Sequence, residues 1–117
     1  HDAARPFASP VIFQRVISAV VDGADAAVPG IAVVDTIKQV NQSEVVVATP
    51  RRETLRAVQT PQAFRASSLR RAHEQGGEGT DDAALIERVG GEVVVVEGVA
   101  IGLAIFGFDK PVEGVQL

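Results

Sequence analysis

The stretch Thr80-Asp81-Asp82-Ala83-Ala84-Leu85-Ile86-Glu87-Arg88-Val89-Gly90-Gly91-Glu92-Val93-Val94-Val95-Val96-Glu97-Gly98 passes from helix grammar to strand grammar in one run. Thr80 is a side-chain cap, Asp81 and Asp82 suit the positive end of a helix, and Gly90-Gly91 stop it. Val93 to Val96 is an unbroken β-branched run, predicting a buried strand. Upstream, Ala66 to Gln75 has helical spacing through Leu69 and Ala72 and closes at Gly76-Gly77. Val11 to Val21 repeats the helical pattern, with Ser9-Pro10 as cap and first turn and Gly23 as stop. Ala26 to Pro29 and Ile31 to Val34 are too short and apolar for helices and read as buried strand. Helices alternating with strands predict an α/β layered fold with a largely parallel sheet. Residues 38–58 break the alternation. Val40, the turn residues Asn41-Gln42-Ser43, Val45-Val46-Val47 and the charged tip Arg51-Arg52-Glu53 predict a β arm projecting from the body.

Composition bounds the partners. The 117 residues, 46% of them hydrophobic, suffice for one core, and Val and Ala must fill it because Trp, Tyr, Met and Cys are absent. With no cysteine there is neither a disulfide framework nor a thiolate metal site. The longest apolar runs fall far short of a bilayer's thickness, and no signal-peptide pattern precedes His1, so a cytoplasmic protein without a membrane partner is expected. A net charge of −4 argues against nucleic acid as the main partner, while leaving room for a small phosphorylated ligand met by a few local bases.

Singly, the polar motifs are ordinary. Asp2 and Arg5 in His1-Asp2-Ala3-Ala4-Arg5-Pro6 form a loop pair ahead of a helix; Asp35-Thr36-Ile37-Lys38 and Thr60-Pro61-Gln62 read as turn units. His73 is a lone helical histidine, and Arg51, Arg56, Arg65, Arg70 and Arg71 read as surface charges. Taken in order, HDAARP, VPG followed by DTIK, RAVQTPQAFR, GTDDAALIE and VVVEG closely resemble the 2-C-methyl-D-erythritol 4-phosphate cytidylyltransferases of isoprenoid-precursor synthesis, from His1 to Gly98. The resemblance implies an incomplete Rossmann-like nucleotidyltransferase sheet. Residues 1–117 would be the C-terminal part of a single domain and 38–58 its arm. It implies transfer of CMP from CTP to the sugar phosphate with release of pyrophosphate, assisted by Mg2+. Asp2 would lie at the substrate and the metal, Arg5 would support the site, and Thr60 and Thr80 would face the sugar pocket. Thr36 and the catalytic Arg52 would reach the sugar phosphate of the neighbouring subunit, making the enzyme a homodimer through its arm. Such residues suit such a ligand, because guanidinium forks bind phosphate and threonine hydroxyls bond to polyol oxygens.

The chain departs from the family pattern at both ends. No glycine-rich loop bearing Arg and Lys, which in the family grips the CTP phosphates, precedes His1, and Val99 to Leu117 lacks the family's Lys-Ile-Thr-Thr-Pro segment. The chain alone is therefore expected to be inactive unless complemented, and marginal, aggregating or oligomeric, since removing strands from a sheet leaves an unpaired edge. Two alternatives stay open: a ribitol 5-phosphate cytidylyltransferase, against which the double Ala of HDAARP leans, and a non-catalytic remnant that only dimerises or binds a partner through its arm.

Overall fold

The computed structural model describes residues 10–76, 81–99 and 112–117. Helix α1 (Pro10–Val21) begins with a proline, whose missing N–H costs nothing in a first turn, and buries Ile12, Phe13, Val16 and Val20 along one face. The chain turns back at Gly23, in the left-handed region at φ +129°, and enters strand β1 (Ala26–Ala32).

Strand β1 organises the sheet. On one edge it pairs in parallel with β6 (Val93–Glu97), from Ala26↔Val93 to Gly30↔Glu97. On the other edge it takes two antiparallel partners end to end: β5 (Ala63–Arg65) opposite Ala26 and Ala27, and β4 (Arg56–Val58) opposite Gly30 to Ala32. Pro29 lies at the join. A strand residue's N–H and C=O point to the same edge, and Pro29's carbonyl accepts from Gln59 N at 2.8 Å, on the β4 and β5 side. The donor that proline lacks therefore falls in the gap between β5 and β4, where the ladder has no rung to lose. A last strand, β7 (Val115–Gln116), adds to the far edge of β5.

The two faces of β1 serve different cores. Ala26 and Val28 join Phe64, Ala72, Leu85 and Ile86 beneath α2 (Ala66–Gly76) and α3 (Asp82–Arg88), whereas Ala27 joins Ala63, Val16 and Val20 beneath α1. The result is a helix–sheet–helix sandwich, as the alternation of elements predicts. Alanines at β1 let helices approach from both sides, which explains how a core without Trp, Tyr or Met is closed.

The expectation of a largely parallel sheet is corrected, because β1–β6 is the one parallel pair among the described residues and β4, β5 and β7 run antiparallel. Nor is β6 fully buried. Among the described residues it pairs with β1 alone, and Val95 is 49% exposed. The cap of α3 is Asp81 instead of Thr80, its Oδ1 accepting from Ala83 N at 3.0 Å and Ala84 N at 3.3 Å. Arg65, expected as a surface charge, is half-buried and donates to the Val20 carbonyl, tying β5 to the end of α1.

Asp25, just ahead of β1, joins three elements. One carboxylate oxygen accepts from the buried Ser68 hydroxyl of α2 at 2.6 Å, the other from Glu92 N before β6 at 2.8 Å. The Ser68 bond first and the Glu92 bond second hold its carboxyl below the usual aspartate value, against a smaller opposing effect of burial and with help from Arg71 and Arg65. Because the folded carboxyl titrates lower than the unfolded one, the unfolded state binds more protons. The stabilisation is complete above the unfolded value and is lost as pH falls through the folded one. Asp25→Asn is expected to flatten the acid limb of a urea-stability profile below about pH 4. Ser68→Ala should cost about 1.5–3 kcal/mol near neutrality, as loss of a bond to a charged acceptor.

A second expectation concerns Gly30. A Cβ there would meet Val95 Cγ1 at 2.8 Å and Arg56 Cβ at 3.1 Å, one neighbour on each flanking strand. Gly30→Ala should lower stability by about 1–3 kcal/mol in the same urea assay, as overpacking does, and Val95→Ala in that background should recover part of the loss.

Candidate functional site

The chain leaves β1 at Ala32 for the arm and returns to the same edge as β4. Between lie the hairpin β2 (Gln39–Val40) and β3 (Val46–Ala48) and a 3-10 turn at Arg52–Thr54. The hairpin is closed by Asn41, whose side-chain oxygen accepts from Ser43 N at 2.8 Å and Val45 N at 3.1 Å, with Glu44 at φ +63°. Lys38 Nζ reaches Thr49 Oγ1 at 3.0 Å across the arm's two limbs. Little else packs it. Val34, Ile37, Val40, Val45, Val46 and Val47 are 40–77% exposed, an apolar surface with no core of its own.

On this arm the structure brings two sequence-predicted residues into one region. Arg52 Nη1 donates to the carbonyl of Val34, two residues before Thr36. This bond cross-braces the outgoing and returning limbs at the arm's base, and both Thr36 and Arg52 are exposed. Arg56, its neighbour four residues on, donates to the carbonyls of Glu53 and Leu55 at 3.0 and 2.7 Å and so serves the local turn.

Thr60 lies elsewhere. β4 and β5 run end to end along one edge of β1, and residues 59–62 interrupt them, with a cis bond between Thr60 and Pro61. Such an interruption takes Thr60 out of the ladder. Thr60 is half-buried, and Pro61 after it is buried. Across Gly30 from this loop, Gly98 N donates to the Gly30 carbonyl at 2.9 Å, so the exit of β6 comes level with Thr60's segment. Among the described residues no hydrogen bond joins Thr60 to Thr36 or Arg52, which places them in two separate groups within one chain.

Asp2, Arg5 and Thr80 lie outside the described residues. Among the described residues no group of three or more His, Cys, Asp or Glu is gathered as a metal site, and Asp2, the residue assigned to Mg2+, is not one of them. Nor is any helix among them long and apolar enough to cross a membrane. His73, a lone histidine by sequence, pairs with Asp82 Oδ1 at 3.1 Å and links α2 to α3. Sequence reasoning passed over Gln59, because a glutamine at a strand end carries no chemical signature until its partner across the sheet is known.

Residues 1–107 match the family described as IspD, 2-C-methyl-D-erythritol 4-phosphate cytidylyltransferase. The chain is 50% identical over 99 residues to the 2-C-methyl-D-erythritol 4-phosphate cytidylyltransferase of Saccharopolyspora erythraea, covering 84% of this chain and 44% of that protein. To a bifunctional enzyme IspD/IspF of Nitrobacter winogradskyi it is 53% identical over 108 residues, 88% of this chain and 27% of that one. Among solved structures, 2-C-methyl-D-erythritol 4-phosphate cytidylyltransferase from Thermus thermophilus superposes with a TM-score of 0.69 at 40% identity, covering 90% of this chain and 53% of that one. 4-Diphosphocytidyl-2C-methyl-D-erythritol synthase from Anaerococcus prevotii does so with a TM-score of 0.76 at 32% identity, covering 90% and 50%. The chain thus spans about half the length, or less, of these relatives. With the family match running through the arm, the Thr60 loop and the β6 exit, this chain belongs to the 2-C-methyl-D-erythritol 4-phosphate cytidylyltransferase family.

Proposed function

We propose that the chain supplies the C-terminal, sugar-phosphate-binding part of an enzyme that transfers CMP from CTP to 2-C-methyl-D-erythritol 4-phosphate in non-mevalonate isoprenoid precursor synthesis. The observation that carries this reading is the family match over residues 1–107. In the reaction an oxygen of the sugar's 4-phosphate attacks the α-phosphorus of CTP. The bond from that phosphorus to the bridging oxygen breaks, and pyrophosphate leaves with the electron pair. A phosphate monoester is already nucleophilic, so the protein's task is alignment and charge neutralisation. Thr60 and Thr80 bond to the polyol, and Asp2 and Arg5 organise the site where nucleotide and sugar meet. Magnesium, held at Asp2 and on phosphate oxygens, would supply further neutralisation. The compartment is the cytoplasm.

The arm suggests the second half of the pocket. A small hairpin exposing a row of valines is unstable alone, and packing against a second copy about a two-fold axis buries them. In that homodimer each arm carries Thr36 and Arg52 to the partner's sugar phosphate. Arg52 needs one N–H to brace Val34 and has others for the ligand. These 117 residues alone, which span less than half of the curated relatives they match, are expected to show no turnover.

The test uses this chain joined to the remaining part of the Saccharopolyspora erythraea relative, assayed by pyrophosphate release. Turnover with 2-C-methyl-D-erythritol 4-phosphate is expected, and a clear preference for ribitol 5-phosphate would replace the proposed substrate. No turnover with either would favour a non-catalytic dimerising role. Arg52→Ala should lower kcat/KM for the sugar phosphate roughly tenfold to a hundredfold, the equivalent of about 1.5–3 kcal/mol, with CTP binding nearly unchanged. Mixing Arg52→Ala with Asp2→Ala protomers should restore one site per heterodimer. Recovery absent from demonstrated heterodimers would refute the cross-subunit role. Val46→Lys should shift sedimentation toward the monomer without lowering the protomer's own stability, because Val46 is half-exposed.

A further inference from the structure

The exit of β6 is held by a side chain from the opposite edge of β1. Gln59 Nε2 donates to the Val99 carbonyl at 2.7 Å, and Val99 N donates to Gln59 Oε1 at 3.1 Å. A primary amide offers a donor and an acceptor side by side, so it pairs with the two polar groups of one residue as a neighbouring strand would. The bridge crosses Gly30, and Gly98 completes the fit, since a Cβ there would collide with Gln59 Oε1. Gln59 is itself fixed through its own N–H on Pro29. One residue thus ties three segments together, β1 at Pro29, the β6 exit at Val99 and, by direct chain connection, Thr60.

We propose that Gln59 is a positioning residue for the sugar-phosphate side of the pocket. It registers Thr60, the residue assigned to the sugar, against the backbone leaving β6, so that the wall on which Thr60 sits keeps one position. This rests on the cytidylyltransferase reading for the identity of the ligand, and on the amide pair alone for the clamp. Glutamate keeps the acceptor and loses the donor, alanine loses both, and asparagine is one methylene too short to span Gly30.

Two measurements separate the clamp from the function. In the 117-residue chain, amide exchange at Val99 should quicken about tenfold or more in Gln59→Ala, and also in Gln59→Glu because the second carboxylate oxygen would face the Val99 carbonyl and push the segment off, while the amides of β1 keep their protection. Gly98→Ala should have the same effect by displacing the glutamine, and should add little in the Gln59→Ala background. Unchanged exchange at Val99 would overturn the clamp. In the joined enzyme described above, both Gln59 variants should raise KM for the sugar phosphate about tenfold, with kcat and KM for CTP within about twofold. Faster exchange at Val99 with unaltered sugar-phosphate KM would overturn the positioning role and leave a purely structural bridge. An unsubstituted joined enzyme without turnover overturns the functional reading and the positioning role with it. The exchange data then still decide the clamp, so the two failures are distinct.

Discussion

Strand β1 is the constraint on which the rest of the molecule depends, because both of its edges and both of its faces are in use. Its even residues pair toward β6 and its odd ones toward β4 and β5, and the one N–H it lacks, at Pro29, falls where β5 and β4 meet. Its side chains are small where helices cross and absent at Gly30, where β6 and β4 side chains close in. A larger residue in this strand would push apart two layers at once. The same economy fixes where the connecting loop lies. With β4 and β5 sharing one edge, the four residues that join them must bulge at the height of Pro29, and Thr60 is in that bulge.

The arm follows the opposite logic. It leaves and re-enters the sheet on one side of β1, is braced at its base by Arg52 on Val34, and exposes valines that a free protomer has no reason to keep. Hydrophobic side chains on a hairpin without a core are costly to solubility unless a second surface covers them. Under the proposed function, a guanidinium and a hydroxyl on the same arm as an exposed apolar strip would join recognition to assembly in one element.

Much of this was legible in the sequence, for identifiable reasons. α1 and α2 follow from spacing at 3.6 residues, and β1, β3 and β6 from β-branched or apolar runs bounded by Gly, Asn and Asp. What escaped were properties set by partners distant in the chain. Val93 to Val96 reads as buried whether it lies at the centre of a sheet or pairs with one neighbour, since composition does not report the number of neighbours. The antiparallel return of β4 and β5 is invisible because each is three residues long, too short to show a period. Asp81 is the cap because α3 begins at Asp82, where its carboxylate accepts from two backbone N–H groups at once, a one-residue offset that the similar capping propensities of Thr and Asp hide.

The polar residues divide in the same way. Arg52 and Thr36 were singled out only through the order of motifs that carries the family resemblance, whereas Asp25, Arg65 and Gln59 are marked only by where their partners lie, 43, 45 and 40 residues away along the chain. All three do the same physical work. Each satisfies a main-chain group, or a side chain on a helix, at a place where a strand ends and the ladder can no longer do so. Strand ends are where α/β folds bind ligands, since there backbone leaves the sheet and side chains converge from several segments. A residue that fixes one of those ends therefore acts on the pocket without touching its ligand. Gln59, which spans from the β4 edge to the β6 exit over the gap left by Gly30, is the one among them whose bridge ends beside a residue assigned to the sugar.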